Sequence, residues 1–338
     1  MFSNTSPATH DVKKWKWDDH YDWPRDLIGY GEKSFNPQWP NGAKIAVSFV
    51  INYEEGAENT VLNGDPHSET MIWDAPGGEP YPQERAVQVE SHYDYGSRAG
   101  VWRIFRLFNK YNFKYTLFAV GKAIEDNPAV AISSVENGHD IASHGYRWID
   151  YHSVPVEEEK ELIRKGIKAI QNVCGFAPKG WYYGRLSPRS HALVWDVYQE
   201  MGLPLLWNSD SYSDDLPYYV DVPAEKESPN PKGMLILPYS FDCNDYKFHL
   251  DSGFSSPGDF YEQCKNAFDI LYEEGEEGMP KMMTIGLHCR VMGRPGRIAA
   301  LRKFVEYIAA KENVWVATRT QIAEHFREKF PYRKCQRA

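Results

Sequence analysis

Compact apolar runs alternate along the chain with longer segments whose apolar positions recur at helical spacing. The run KIAVSFVIN at residues 44–52 is rich in β-branched and aromatic residues, which predicts a buried strand. In SRAGVWRIFRLFNKYN at residues 97–112, Val101, Ile104 and Phe105 share one apolar side, which predicts a helix. This alternation continues nearly to the end of the sequence and predicts an α/β fold.

The predicted order of elements favours parallel strands joined by right-handed crossovers. Seven or eight strand–helix units indicate a closed or nearly closed barrel, and an open doubly wound sheet is the alternative. There is no GxGxxG after the first strand and no GxxxxGKS/T, which disfavours a nucleotide-binding sheet. We predict strands at 44–52, 115–120, 139–144, 179–184, 204–209, 233–240, 282–289 and 314–319, and helices at 97–112, 126–138, 155–174, 190–201, 257–274 and 295–311.

Two segments stand apart from this alternation. Residues 1–42 are polar, aromatic and rich in turn formers, and we expect an N-terminal arm that packs on the domain or on a neighbouring subunit. Residues 43–338 then form a single barrel domain. Residues 53–96 have no clear period and many Gly, Pro and Asn, and they are too long for an ordinary connection. They predict a functional loop over the site.

Charge and composition exclude several classes of partner. Lys plus Arg total 38 and Asp plus Glu total 47, giving a net charge of −9 without a basic run. Such a chain is a poor candidate for binding nucleic acid or an anionic membrane. The sequence shows neither a membrane-length apolar run nor a signal-peptide core, and its five Cys lack a CxxC pair. We therefore expect a cytoplasmic protein with free thiols.

Ionisable residues follow four of the predicted strands: Glu54 and Glu55, His144, Arg185, and His288. Parallel α/β folds bind ligands at the carboxyl ends of their strands, so these side chains are expected to meet at one rim. Two adjacent carboxylates there should raise the pKa of at least one by mutual repulsion. Together they supply a base, an acid and an oxyanion stabiliser, which water attack on an amide requires.

The motifs NYEEG, SHGYRW, GRLSP and LH, in this order, resemble the NodB-homology, or polysaccharide deacetylase, superfamily. The resemblance implies a distorted (β/α) barrel of seven to eight units. It also implies that Glu54 is the general base, that Glu55 and His144 match metal ligands, that Arg185 is the motif arginine, and that His288 is the late catalytic histidine.

The sequence departs from the family pattern at the metal ligands. Both motif Asp have become Glu, and Trp148 stands four residues after His144, where the family has its second metal His. His152 lies further on and is expected to be a surface or core-edge residue. Because a catalytic zinc needs about three protein ligands, no cofactor is expected. The alternative is one divalent metal, such as zinc, at a degenerate site with Glu55 and His144 as ligands.

Seven longer motifs between residues 25 and 325 resemble the allantoinase branch of this family; they are RDLIGYG, NYEEGAEN, YDYGSRAGVWR, SHGYRWIDY, GWYYGRLSP, DSYSDDLPYYV and KMMTIGLHCRVMGRPGR. This resemblance implies a hydrolase that opens the hydantoin ring of allantoin to allantoate in purine catabolism, and a homotetramer. A metal-dependent N-deacetylase of chitin or peptidoglycan oligomers, another cyclic imide hydrolase and an inactive scaffold protein stay open.

For ring opening, our hypothesis assigns Glu54 as the base for water and His288 as the proton donor or oxyanion partner. His144 would orient water or substrate, Arg185 would bind the imide oxygen, and Glu55 would bind ring or ureide N–H groups.

Further substrate-binding residues are expected outside the motif core. Asp215 and Tyr218, with Asp214, lie in a loop that could bind ureide N–H groups, and Arg297, with Arg294, flanks a helix start that could bind an anion or carbonyl. Trp148 is counted among the substrate-site residues, although packing in the old ligand position is the favoured interpretation over stacking on the substrate.

Overall fold

The computed structural model describes residues 15–75 and 78–334. The strands are β1 Ile45–Tyr53, β2 Tyr115–Ala119, β3 Asp140–Ser143, β4 Gly180–Trp181, β5 Trp207–Asn208, β6 Tyr218–Val220, β7 Met234–Ile236, β8 Lys281–His288 and β9 Val314–Val316. The helices are α1 Val87–Tyr95, α2 Val101–Tyr111, α3 Gly121–Asp126, α4 Pro128–Glu136, α5 Val156–Cys174, α6 Ser190–Glu200, α7 Pro257–Glu276, α8 Cys289–Met292, α9 Pro295–Ala309 and α10 Arg319–Lys329.

The strands form one curled sheet in the order β6-β7-β5-β4-β3-β2-β1-β8. All pairs are parallel except β6 with β7. Strand β9 pairs with the first residues of β1, and β2 pairs with its last residues. The sheet stays open between its edge strands β6 and β8, where Asn244 makes a single bridge to Gly286. The predicted distorted α/β barrel is confirmed as this partial barrel.

Strand β1 lies between β2 and β8, and all nine of its residues are buried. Its alternate residues, such as Phe49, pack against the outer helices, whereas Ala46 and Val50 pack inside the sheet with Phe118 and Trp207. A strand with both faces covered by apolar side chains is expected to be a near-continuous hydrophobic run, as this one is. It holds the site because its carboxyl end projects into the open end of the barrel.

Several elements differ from the prediction. Helix α1 lies within the predicted loop 53–96, and a π-helical turn at Gly96–Gly100 joins it to α2. A side chain at Gly96 would overlap Glu55 Oε1, and one at Gly100 would overlap the Cys289 carbonyl oxygen, so both glycines permit close packing. The predicted helix at 126–138 is observed as α4, with Pro128 in its first turn, and the short helix α3, which was not predicted, lies directly before it.

The N-terminal segment runs over the barrel from residue 15 to residue 39 without a helix or strand. The Tyr30 hydroxyl donates to the Pro217 carbonyl oxygen at 2.6 Å, and Trp39 Nε1 donates to the Lys281 carbonyl oxygen at 3.0 Å. Residues 1–14 of the predicted arm lie outside the described residues, and the domain boundary at 42/43 stays a prediction.

Over the described ranges, no helix is long and apolar enough to cross a membrane. The four described cysteines, Cys174, Cys243, Cys264 and Cys289, are free thiols.

Candidate active site

The carboxyl ends of β1, β3 and β8 bring Glu54, His144 and His288 together. Strands β1 and β8 are in register with Asn52 opposite His288, and β3 follows β2 on the other side of β1. Glu54, His144 and His288 are only 1%, 2% and 5% exposed. Because parallel strands end at the same edge, short segments of backbone are enough to make these three side chains converge.

Both carboxylate oxygens of Glu54 face positive or protonatable groups. Oε1 lies 3.2 Å from His144 Nε2 and 3.5 Å from His288 Nε2, and Oε2 lies 2.8 Å from Arg290 Nη2. The Arg290 contact is an ion pair without aligned hydrogen-bond geometry. Burial raises the pKa of Glu54, but the charges of Arg290, His288 and His144 outweigh burial and leave the pKa below its ordinary value. Glu54 is therefore ionised at neutral pH.

His288 is held by a buried carboxylate on its far side. Its Nδ1 lies 2.6 Å from Asp245 Oδ1, and its backbone N–H donates to Asp245 Oδ2 at 2.8 Å. Burial lowers the pKa of His288, but Glu54 and Asp245 raise it more, so the pKa lies above its ordinary value. When the ring is protonated, its Nε2–H faces Glu54 Oε1 at an N–O separation of 3.5 Å, which is the arrangement of a proton donor beside a base.

The orientation of His144 follows from a backbone contact. Its Nδ1 lies 3.2 Å from the Tyr182 carbonyl oxygen, which can only accept a hydrogen bond. Nδ1 therefore carries a hydrogen. Nε2 can donate to Glu54 only when the ring is doubly protonated, and in the neutral ring it presents a lone pair to Glu54 and the cavity.

Glu55 lies behind Glu54, away from the cavity. Its Oε2 accepts from the Glu54 backbone N–H at 3.0 Å, and its Oε1 accepts from the Arg290 backbone N–H at 3.2 Å. The Arg290 guanidinium lies 3.5 Å from Glu55 Oε1 and 3.9 Å from the centre of the Tyr93 ring. Burial raises the pKa of Glu55. The expected contact of Glu55 with substrate is not supported by this position, since backbone donors occupy its oxygens.

The donor set does not fit the divalent metal that the family implies. Among residues 15–75 and 78–334, no three His, Cys, Asp or Glu side chains are arranged to hold a metal ion. Glu55 is engaged by backbone amides, and Trp148 stands at the position of the second metal His. The guanidinium of Arg290 already places a positive charge against the two carboxylates, where a dication would be repelled. No chemical step is therefore assigned to a metal.

The converging side chains line a cavity of about 160 Å³. Met71 and Ile72, from the long segment before α1, contribute to its wall, so part of the predicted functional loop reaches the site. Tyr182, Tyr239 and Phe241 provide aromatic surface opposite. The small volume and the aromatic lining suit a small, flat molecule with a few polar groups.

Trp148 and Arg185 line the same cavity. The Arg185 guanidinium lies 4.8 Å from the centre of the Trp148 ring, and its Nη1 donates to Glu69 Oε2 at 3.0 Å. Trp148 is 5% exposed and also lies 5.3 Å from the Arg290 guanidinium. The indole thus packs between two arginines, which agrees with the packing interpretation of Trp148, and Arg185 keeps contact with the cavity.

Three predicted substrate-binding residues lie elsewhere. Asp215 and Asp214 line a neighbouring cavity of about 430 Å³, which has Tyr239 and Phe241 in common with the Glu54 cavity. The Tyr218 hydroxyl contacts Ser211 Oγ at 2.7 Å and Ser213 Oγ at 2.8 Å. These loop residues belong to the open edge of the sheet around β6, so the sequence motif that contains them does not reach the Glu54 cavity.

Arg297 is the third such residue. Its Nη2 pairs with Asp74 Oδ1 at 2.8 Å, and Arg294 Nη2 donates to His92 Nδ1 at 2.9 Å. The helix start that carries both arginines thus anchors the segment after Ile72 and does not line the cavity. His152 is exposed, as predicted.

Sequence reasoning missed four residues at the site, namely Arg290, Asp245, Asn244 and Tyr239. Arg290 lies two residues after His288 of the Leu-His motif, yet nothing in the sequence indicates that its long cationic side chain turns inward. Asp245 comes shortly after the predicted strand at 233–240, and an acidic residue at a strand's carboxyl end was the available signal.

Comparison with known proteins agrees with this geometry. The sequence profile of the polysaccharide deacetylase family matches residues 83–206. A Schizosaccharomyces pombe protein named for polysaccharide deacetylases is 48% identical over 317 residues, which cover 91% of this chain and 98% of that protein.

Two crystal structures are also similar over nearly the whole chain. One, of a Pseudomonas aeruginosa protein described as a polysaccharide deacetylase, has a TM-score of 0.85 and 43% identity, covering 92% of this chain and 100% of the other. PuuE allantoinase has a TM-score of 0.85 and 45% identity with the same coverage. The chain belongs to the polysaccharide deacetylase family.

Proposed function

We propose that this protein is a hydrolase that opens the hydantoin ring of allantoin to allantoate. The observation that carries the proposal is the ion pair of Glu54 and His288 at the end of a cavity of about 160 Å³. Hydrolysis of a cyclic amide needs a base for water and an acid for the departing nitrogen. The pKa of Glu54 is lowered and that of His288 is raised, so both shifts favour the charged forms that these roles require.

The small volume of the cavity favours a small substrate over a polymer. Glu54 is 1% exposed, and Met71 and Ile72 of the long loop line the same cavity. A sugar chain would have to pass across the reacting bond in an open groove, whereas a single ring fits inside. The flat aromatic walls at Tyr182 and Phe241 match the planar hydantoin ring.

The comparisons support the same choice in part. PuuE allantoinase is 45% identical, and the Pseudomonas aeruginosa protein, described as a polysaccharide deacetylase, is 43% identical. The two identities differ too little to decide between allantoin hydrolysis and polysaccharide deacetylation. The choice between the two activities therefore depends on the site, whose described residues do not fit the metal centre of a metal-dependent deacetylase.

In the proposed reaction, Glu54 removes a proton from water as the water attacks the amide carbonyl carbon of the ring. His288 donates its Nε2 proton to the ring nitrogen, and the carbon–nitrogen bond breaks. His144 orients the water, and Arg185 binds a ureide carbonyl oxygen with the part of its guanidinium that faces the cavity. Asp245 holds His288 in place and raises its pKa, which favours the protonated ring.

The proton balance closes between two neighbouring groups. After bond cleavage, Glu54 carries a proton and His288 has lost one, so both side chains are neutral. The separation of 3.5 Å between Glu54 Oε1 and His288 Nε2 permits return of the proton to the histidine after a small movement. The new carboxylic acid of allantoate ionises in solvent, which restores the starting enzyme.

The proposal also covers the cofactor requirement, oligomeric state and cellular location of the protein. It acts without a metal cofactor, on a small cyclic ureide or imide, as a homotetramer in the cytoplasm and within purine catabolism. It has no nucleic-acid or membrane partner.

The direct test is to assay chelator-treated protein on allantoin, on simple cyclic imides and on chitin oligomers. We expect allantoate from allantoin and no acetate from the oligomers. Glu54→Gln and His288→Ala should each reduce turnover by at least about 100-fold, since each removes one proton-transfer group. Activity on oligomers alone, appearing only after divalent metal is added, would overturn the proposal in favour of an N-deacetylase.

A further inference from the structure

The hydroxyl of Tyr239 lies in the cavity wall between two amide side chains. Asn52 Nδ2 lies 3.0 Å from this hydroxyl, and Asn244 Nδ2 lies 3.1 Å from it. Tyr239 is 3% exposed, and all three residues line the cavity of Glu54 and His288. The direction of these two hydrogen bonds decides where the phenolic proton can point.

Backbone contacts fix the orientation of both amides. Asn52 Nδ2 also lies 3.2 Å from the Leu287 carbonyl oxygen, so the atom there must be a donor. Asn244 Oδ1 accepts from the Tyr246 backbone N–H at 3.0 Å, which turns its Nδ2 toward Tyr239. Both amides therefore donate, and the Tyr239 oxygen accepts twice.

The Tyr239 O–H hydrogen then has no acceptor among the described residues. With two directions around the oxygen taken by incoming N–H groups, the hydrogen must point in a third. That direction is assigned to the Glu54 cavity, because both amides line this cavity together with Tyr239. Burial raises the pKa of Tyr239, and the charges of Asp245 and Glu54 add to this effect, so the hydroxyl stays protonated.

The arrangement is built tightly into the fold. A Cβ atom at Gly286 would lie 2.3 Å from both Asn244 Nδ2 and the Tyr239 oxygen, so the glycine in β8 makes room for the three groups. A donor fixed in this way, beside a base and an acid, needs no reorganisation when charge develops on a substrate oxygen.

We propose that Tyr239 donates its hydroxyl hydrogen to the carbonyl oxygen of the amide under attack and stabilises the oxyanion that forms there. This inference rests on the proposed ring hydrolysis and adds the group that holds the carbonyl. Asn52 and Asn244 act as positioning residues, because they set the direction of the hydroxyl.

Two substitutions test the direction of the hydroxyl. Tyr239→Phe removes the donor, and we expect kcat/KM for allantoin to fall about 100-fold, mostly in kcat. Asn244→Asp keeps the shape but presents an acceptor to Tyr239, so the hydroxyl should turn from the cavity and activity should fall although Tyr239 is intact. In the double variant, kcat/KM should be less than about 3-fold lower than in Tyr239→Phe alone, because both substitutions act on the same hydroxyl hydrogen.

The matched control is Tyr198→Phe, which removes a buried tyrosine hydroxyl that donates to the Pro178 carbonyl oxygen at 3.1 Å and does not line the Glu54 cavity. Its kcat/KM should stay within about 3-fold of the wild type, the range of one weak neutral hydrogen bond. Circular dichroism and thermal unfolding establish that each variant is folded. If Tyr239→Phe retains full kcat/KM, or if the two substitutions have independent effects, the inference is wrong while the proposed ring hydrolysis stands.

A binding measurement covers the case in which the wild type does not hydrolyse allantoin, which would overturn the proposed function itself. Calorimetric titration with hydantoin then tests Tyr239 alone. Affinity about 5-fold or more weaker in Tyr239→Phe supports the inference, since a lost hydrogen bond has an effect of this size. Equal affinity, or no binding by either protein, overturns it.

Discussion

Arg290→Met replaces a fully buried guanidinium by an uncharged side chain of similar length. In the folded protein the guanidinium lies 2.8 Å from Glu54 Oε2 and 3.5 Å from Glu55 Oε1, and both carboxylates are buried. The substitution leaves two buried carboxylates without their cation, in a low-dielectric environment where an unpaired charge is unfavourable. Removing one partner of a buried ion pair commonly lowers the free energy of unfolding by about 3–5 kcal/mol.

We expect the lower end of that range, because two features relieve the loss. Burial raises the pKa of Glu55, which can take up a proton, and His288 stays 3.5 Å from Glu54. The expected loss at pH 7 is therefore about 3 kcal/mol. In a Glu54→Gln background the same substitution should cost only about 1 kcal/mol, because one of the two stranded charges is gone.

Urea unfolding of the wild type, the two single variants and the double variant measures this coupling. Arg294→Met is the matched control, since its side chain is 31% exposed, and it should lose less than about 1 kcal/mol. The pH dependence of kcat/KM gives a second readout. Arg290 lowers the pKa of Glu54, so its removal should raise that pKa and move the acid limb to higher pH. Equal losses in both backgrounds with an unmoved acid limb would refute the reasoning.

Three further predictions concern the proton donor, the loop and an excluded ligand. Because His288 must be protonated to act, kcat/KM should decline as pH rises through the raised pKa of this histidine. Asp245→Asn removes a charge that raises the pKa of His288, so the alkaline limb of kcat/KM should move to lower pH. An unmoved limb would contradict the pairing of Asp245 with His288. Asp74→Asn breaks the ion pair with Arg297 and should raise KM for allantoin several-fold with under about 1 kcal/mol loss of stability, as thermal unfolding can check. His152→Ala should leave the rate unchanged, and a large loss would reveal an overlooked role.

The positions of Glu54, His144 and His288 could be predicted because strand ends obey a simple rule. Each residue directly follows or ends a predicted apolar run, and parallel strands terminate at one edge. The rule concerns backbone and therefore works without knowledge of side-chain packing. It also explains why the long loop before α1 was expected near the site.

The environment of these residues could not be predicted in the same way. Arg290 is buried because the Tyr93 ring and two carboxylates surround it. Tyr93 lies in α1, a helix that the sequence pattern did not predict. The segment VQVESHYDY has no continuous apolar stripe, and among its residues only Val89, His92 and Tyr93 are buried. Periodicity alone therefore assigned it to a loop.

The loop motif that contains Asp215 and Tyr218 shows the opposite error. Its match to a family motif favoured a place at the substrate, whereas β6 carries it to the open edge of the sheet. A strand of three residues that pairs antiparallel with β7 leaves little pattern in a sequence. Resemblance identifies which segments correspond, but the path of the chain decides which side chains reach the cavity.

The central claim is that Glu54 and His288 open a cyclic amide by acid–base chemistry with the residues of this chain alone. The most direct measurement is the rate of allantoate formation by chelator-treated wild-type protein, compared with the same protein after one equivalent of zinc is restored. We predict the same rate in both samples, and at least about 100-fold less in Glu54→Gln. An inactive chelator-treated protein that regains ring opening with zinc would contradict the account.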